Sequence, residues 1–216
     1  MTNTAPRLLI ASTNRAKLDE YRLLLAELPL TLVSLADVGV EAAPRESGST
    51  FAENALVKAR FYRRMTGLAT LADDGGLEVD ALGGEPGVRS HRWLDGSEAD
   101  DQALIAEVLR RMEGVRDERR TARLKVALAL AYSVDGRERE AVVEAALEGI
   151  IAQNAHPSYK LGFPYRAVLF LPERGCYYAE LDEREAAAIS HRKAAVERAR
   201  PYLTDIVRTE RPPQAD

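Results

Sequence analysis

A short apolar run, Leu8–Ala11, stops at Ser12, Thr13 and Asn14, and Leu18, Tyr21, Leu25 and Leu28 then recur at helical spacing. This reads as strand, turn and amphipathic helix, with good N-cap residues at the junction. Pro29 ends the helix, and Leu30–Leu35 reads as a second strand. After a polar loop over Ala42–Ser49, Thr50 and Glu53 form a capping-box pattern that opens a helix to about Met65. That helix buries Phe51, Ala55, Ala59 and Tyr62, and Gly67 closes it.

The pattern continues in the same alternation. Leu68–Ala72 is a short strand running into Asp73-Asp74-Gly75-Gly76, and Leu77–Leu82 is a further extended segment. Glu98–Met112 reads as a helix. Thr121–Val134 and Glu138–Ile151 lean to β on either side of Asp135-Gly136, a hairpin signal. Ala152–Leu161 is a loop, Tyr165–Leu171 a strand, Tyr177–Ala179 a further strand, and Glu183–Ile189 a short helix. Ser190 caps a last helix to about Tyr202, and the tail after Arg208 reads as frayed. This order of elements predicts an α/β architecture with a mixed sheet.

Three segments can carry chemistry. Ser12-Thr13-Asn14 with Lys17 stands at a strand-to-helix turn, where unpaired N–H groups, hydroxyls and an ammonium suit a phosphate. The structural alternative is an ordinary N-cap beside a solvent-facing lysine. Asp73 and Asp74 at a strand end suit Mg²⁺, which takes oxygen ligands and often binds through one or two carboxylates plus substrate phosphates; an acidic turn is the alternative. Gly75 and Gly76 let a ligand approach the backbone. Glu46 could complete a metal site or be a solvated loop residue, and Lys58 either snorkels or points into a site. Ser190-His191-Arg192 could read a base edge, or merely cap a helix. Phe163 and Tyr165 could stack on a base, or belong to the core.

The chain has 216 residues, which suits one large domain or two closely joined lobes. A formal net charge of −4 with mixed signs argues against a nucleic-acid polymer as partner. One cysteine, Cys176, excludes an intrachain disulfide and fits a cytoplasmic location. No run approaches the roughly 18 apolar residues of a membrane helix, so a soluble protein without a membrane partner is expected.

Taken together the segments resemble the inosine/xanthosine triphosphate pyrophosphatase family, the non-canonical purine NTP hydrolases. Ser12-Thr13-Asn14-Arg15-Ala16-Lys17 is similar to the family's opening T-G-N-x-x-K turn. Glu46 to Arg60 resembles its E-x-G-x-T-F-x-E-N-A-x-x-K-A-R segment, and Ala72 to Val88 its A-D-D-S-G-L-x-V-D-A-L-G-G-x-P-G-V segment. Ala188-Ile189-Ser190-His191-Arg192 resembles its A-I-S-H-R. The resemblance runs from about Arg7 to Tyr202. It implies an elongated mixed sheet in two lobes with flanking helices and an active-site cleft between lobes. The block 1–208 is then a single domain of two lobes, with 209–216 as the frayed tail, and the protein is a homodimer.

The resemblance also implies roles. Water attacks near the α-phosphate of a nucleoside triphosphate such as ITP, dITP or XTP, and pyrophosphate leaves. Ser12, Thr13, Asn14 and Lys17 hold the triphosphate, with Lys58 assisting and Gly75 at the substrate. Glu46 and Asp74 bind Mg²⁺; Asp74, as base, and Lys17 are the catalytic residues. Phe163, with Tyr165 and Arg166 beside it, meets the base, and Ser190, His191 and Arg192 contact its edge.

The phosphate half matches the family closely, but the base half departs from it. The serine after the two aspartates is Gly75, the aspartate of F-G-Y-D-P is Arg166, a lysine is Cys176, and a lysine and an asparagine are Ala186 and Ala187. Arg166 exchanges acceptors for donors and is a candidate to compensate for the cation missing at Cys176. Two further readings follow: the same chemistry on a different or modified nucleotide, or a nucleotide-binding protein without catalysis.

Overall fold

The computed structural model describes residues 5–94, 96 and 99–209. Seven strands form one mixed sheet in the order β2-β1-β3-β4-β5-β6-β7. β1 (Arg7–Ile10) pairs in parallel with β2 (Thr31–Ser34), and with β3 (Ala69–Val79) in the register Leu8↔Ala69 to Ile10↔Leu71. β4 (Thr121–Val134) and β5 (Arg137–Ile151) are joined by Asp135 and Gly136, both at positive φ as a two-residue type I′ turn requires. β6 (Leu169–Leu171) lies antiparallel to β5 and to β7 (Cys176–Tyr177). The helices are α1 (Arg15–Leu24), α2 (Phe51–Thr66), α3 (Asp101–Arg111), α4 (Glu183–Ile189) and α5 (His191–Thr209).

The chain divides into two compact units. The first comprises residues 1–74, 127–144 and 194–216, and the second residues 75–126 and 145–193. In the first, Leu8, Leu9 and Ile10 of β1 are buried with Tyr21 of α1, Ala55, Ala59 and Tyr62 of α2, Ala127–Tyr132 of β4 and Leu203 and Ile206 of α5. In the second, Leu77, Val79, Leu104, Val108, Met112, Leu169 and Tyr178 belong to one buried cluster. Arg120 staples that unit: its buried guanidinium donates to the carbonyls of Met112, Val115, Ile151 and Ala152. Four carbonyls satisfied by one planar fork offset the burial of its charge. Burial works against the charged form and pulls the Arg120 pKa down, opposed by Asp117.

The capping signals act as read. Thr50 and Glu53 make a reciprocal capping box on α2, and Gly67 ends it at φ 70°. Several boundaries differ. α1 stops at Leu24, before the restriction that Pro29 places on Leu28 comes into play, and Leu28 lies in a turn bonded to Leu25. The strand expected over Tyr165–Leu171 begins only at Leu169: Pro164–Ala167 is a 3-10 turn, with Pro164 supplying the fixed φ of its first position. The strand expected over Tyr177–Ala179 is Cys176–Tyr177, and Tyr178–Glu180 turns away, with Glu180 accepting from the Tyr177 N–H. α5 runs past Tyr202 to Thr209, where the Thr209 hydroxyl donates to the Ser133 carbonyl. The helix start expected at Glu98 and the frayed tail beyond Thr209 lie outside the described residues.

The largest difference is β3. Asp73-Asp74-Gly75-Gly76 is not a break between two strands but the middle of one strand of 11 residues. The glycines serve close approach. A Cβ at Gly75 would stand 2.4 Å from the Lys125 carbonyl oxygen, and one at Gly76 would stand 1.8 Å from Ser90 Oγ. Ser90 cannot yield freely, since its hydroxyl donates to the Gly87 carbonyl and accepts from the Leu77 N–H. Gly76→Ala is therefore expected to destabilise the protein by about 1–3 kcal/mol, the usual range for overpacking. Urea unfolding checks it, and an unchanged midpoint would contradict the packing described.

Candidate active site

β1 and β3 pair in parallel as far as Ile10↔Leu71, and polar residues follow where that pairing ends, Ser12 to Asn14 after β1 and Asp73 and Asp74 further along β3. Ligand sites of open α/β sheets lie beyond such ends. After β1 the chain turns through Ser12 and Thr13 to Asn14, whose Oδ1 accepts from the Ala16 and Lys17 N–H groups and caps α1. Ser12 Oγ accepts from the Asn14 N–H. Ser12 is half-buried, and Thr13 is exposed.

From α1, Lys17 Nζ reaches Asp73 Oδ1 at 3.0 Å. From α2, Lys58 Nζ contacts Glu46 Oε2 at 2.9 Å, Asp74 Oδ1 at 3.0 Å and the Asp73 carbonyl at 3.2 Å. Glu46 and Asp74, 28 residues apart in sequence, thus converge on one ammonium. Burial works to lower the Lys58 pKa, but Asp74, Glu46 and Asp73 together outweigh it and raise it above 10.5. Asp73 and Asp74 are both buried.

Two further residues complete this cluster, Asp73, which the sequence offered as a metal carboxylate, and Asn54, which it did not single out. Asp73 is the partner of Lys17. Asn54, buried in α2, donates from Nδ2 to Asp74 Oδ2 at 3.1 Å and accepts at Oδ1 from the Gly48 N–H at 2.8 Å. The signal for Asn54 was present: a polar residue on the apolar face of a helix, between Phe51 and Ala55, must find partners. The loop before α2 is tied down further. Glu53 Oε2 accepts from the Ser49 hydroxyl and N–H and from the Thr50 N–H, and these bonds hold its carboxyl below the ordinary range.

The second unit holds a separate cluster. Phe163 and Arg166 are buried, the Arg166 guanidinium lying 4.2 Å from the centre of the Phe163 ring and 4.6 Å from that of Tyr178. Arg192 lies 5.1 Å from the Phe163 ring. A guanidinium over an aromatic face is attracted by the ring quadrupole. Arg166 is therefore packed against these rings and does not point to solvent. Tyr165 belongs to the core; its hydroxyl donates to the Ser90 carbonyl at 2.6 Å, and burial raises its pKa well above 10. Ser190 caps α5 by accepting from the Lys193 N–H, and His191 and Arg192 are buried beside it in sequence. Cys176 is a half-buried thiol in β7, and Ala186 is core, its carbonyl accepting from Tyr178 Oη.

Fold and first cluster together define an α/β protein with a carboxylate–lysine site just past the parallel pairing of β1 and β3. The chain belongs to the Ham1 family, whose model matches residues 8–202. It is 43 % identical over 200 residues to a dITP/XTP pyrophosphatase of Geobacillus kaustophilus, covering 93 % of this chain and 95 % of that one. It is 42 % identical over 190 residues to one of Thermus thermophilus, covering 88 % of each. Among solved structures, a HAM1 protein from Coxiella burnetii matches with a TM-score of 0.79 at 36 % identity, over 93 % of this chain and 99 % of that one. A nucleoside-triphosphatase / dITP/XTP pyrophosphatase from Mycobacterium abscessus matches with a TM-score of 0.69 at 40 % identity, over 90 % and 99 %.

Lys58→Met should leave Glu46 and Asp74 facing each other without their shared cation. A loss on the order of 2 kcal/mol is expected, since removing one member of a partly buried ion pair strands the other. The pKa of Lys58 is raised, so its contribution is complete below 10.5 and is lost as pH climbs through the higher folded value. Denaturant midpoints of wild type and variant should therefore approach each other only above pH 10.5. A constant gap across that range would contradict the raised value.

Proposed function

We propose that the protein is a divalent-metal-dependent hydrolase that cleaves non-canonical purine nucleoside triphosphates, such as dITP, ITP and XTP, to the monophosphate and pyrophosphate. The observation that carries this is the convergence of Glu46, Asp74, Asp73, Lys17 and Lys58 beyond the end of β1 and at the middle of β3. Relatives at 42–43 % identity bearing the name dITP/XTP pyrophosphatase support it.

The donor set fits a hard cation. Among the described residues there is no group of three or more His, Cys, Asp or Glu side chains that could hold a metal alone. Two carboxylates suffice for Mg²⁺, which completes its octahedron with water and substrate phosphates. Glu46 and Asp74 would hold it. Bound, Mg²⁺ would neutralise charge on the phosphates and polarise the reacting anhydride.

The chain's own groups do the rest. Ser12, Thr13, Asn14 and the first turn of α1 offer donors to the triphosphate, and Lys17 and Lys58 bring positive charge to it. Asp74, fixed by Lys58 and Asn54, orients a water and accepts its proton as the water oxygen bonds to the α-phosphorus. The bond from that phosphorus to the bridging oxygen breaks, and pyrophosphate leaves with the electron pair. Gly75, next to Asp74, is assigned to the substrate through its backbone alone, since the Lys125 carbonyl fills the space a side chain would take. Phe163, Arg166, Ser190, His191 and Arg192 are assigned to the base, with Tyr165 supporting Phe163 from the core.

A specific observation favours a shifted base preference within this chemistry. Where the family has an aspartate, Arg166 is held against Phe163 and Tyr178. A donor-bearing cation in place of an acceptor should favour bases rich in carbonyl oxygens. The described residues contain no helix long and apolar enough to cross a membrane. A homodimer in the cytoplasm, acting on free nucleotides and not on a nucleic-acid polymer, completes the proposal.

The test is pyrophosphate release with Mg²⁺ across ATP, GTP, CTP, UTP, ITP, dITP and XTP. Non-canonical purines should exceed the ordinary nucleotides in kcat/KM by about 100-fold or more, the scale set by a missed or misplaced base hydrogen bond. Asp74→Asn should lower kcat by about 100-fold at nearly unchanged KM. Good turnover confined to a pyrimidine or an ordinary purine would replace the substrate class. Turnover of no triphosphate, or an Asp74→Asn variant as fast as wild type, would end the proposed mechanism.

A further inference from the structure

We infer that Asn54 is a positioning residue that fixes both the orientation of Asp74 and its spacing from Glu46; this rests on the phosphoanhydride chemistry proposed above. Asn54 is 2 % exposed and makes two hydrogen bonds with opposite roles. Its Oδ1 accepts from the Gly48 N–H at 2.8 Å, so only its NH₂ group is left to face Asp74 Oδ2, at 3.1 Å. One rigid amide therefore ties the loop that carries Glu46, two residues before Gly48, to the strand that carries Asp74.

The local sequence enforces this tie. A Cβ at Gly48 would stand 2.7 Å from Asn54 Oδ1 and 2.7 Å from Glu53 Cβ, so only glycine lets the loop come this close to α2. Asn54 and Lys58 are one helical turn apart and share a face. Each takes a different oxygen of the same carboxylate: Lys58 binds Oδ1 and Asn54 binds Oδ2. Lys58 also sets the charge balance. Asn54 is neutral, so its removal leaves that balance untouched and releases only the rotation of the carboxylate and the position of the loop. Asn54 thus separates geometry from electrostatics in a way that no other contact of Asp74 given by the structure does.

The experiment uses the full chain, wild type and the Asn54→Ala and Asn54→Ser variants. Asn54→Ser is also neutral, keeps a polar group at this buried position, and is too short to bridge Gly48 and Asp74 as the amide does. Steady-state kinetics with the best triphosphate of the panel are combined with Mn²⁺ binding followed by electron paramagnetic resonance without nucleotide. Circular dichroism establishes the temperature at which each variant is folded. In both variants kcat should fall by about tenfold or more while KM stays within about threefold, because a misplaced catalytic group costs rate more than substrate binding. Mn²⁺ binding should weaken in Asn54→Ala. If Asn54→Ala fails to fold, Asn54→Ser decides by the same kinetics. Wild-type kcat in a folded variant, a rise in KM alone, or failure of both variants to fold would overturn the positioning role. Absence of any wild-type turnover would instead overturn the functional proposal on which it rests.

Discussion

The ammonium of Lys58 is the interaction on which the first unit's site depends. Three oxygens from two stretches of chain, Glu46 in a loop and Asp73 and Asp74 in β3, meet at one nitrogen within 3.2 Å. Two carboxylates brought this near would otherwise repel each other in a poorly solvated place. The lysine makes the convergence tolerable, and the raised pKa of Lys58 is the other side of the same balance. Lys17 does the corresponding service for Asp73. The acids a hard cation would require are thus assembled by cations that a triphosphate would also require.

Rigid elements hold this arrangement. Lys17 stands on α1 just after its Asn14 cap, Lys58 and Asn54 on α2 behind a capping box, and the aspartates on a strand interior. Backbone hydrogen bonding fixes where each side chain starts, so little is left to loop motion. The exception is Glu46, which sits on a loop, and that loop is bound by Asn54 at Gly48 and by Glu53 at Ser49 and Thr50. Capping α2 and placing the Glu46 carboxylate against Lys58 are therefore one structural act. A single glutamate, Glu53, satisfies the helix terminus and restrains the segment that delivers Glu46.

The second unit is built on a different principle. Its guanidinium groups lie over aromatic faces: Arg166 against Phe163 and Tyr178, and Arg192 against Phe163. The ring quadrupole attracts each cation there. The sequence departures fall here and not in the first cluster. Ala186, where the family resemblance has a lysine, is part of the apolar core, so that position has been given over to packing in this chain.

The sequence alone was enough to name the elements whose signals are local. Capping residues, turn dipeptides and helical periodicity act through neighbours a few residues away, which is why the capping box at Thr50, the Asp135-Gly136 hairpin and α4 were legible. The motif segments likewise pointed to Glu46, Lys58 and Asp74. Only the tertiary structure decided what Asp73-Asp74-Gly75-Gly76 is. Read locally it is a turn, but distant backbone at Lys125 and the Ser90 side chain press against its glycines, and the segment is the interior of a strand. The same holds for Arg166 and Asn54. A residue's type shows that it needs partners, and which partners it finds depends on chain segments that come together only in the fold.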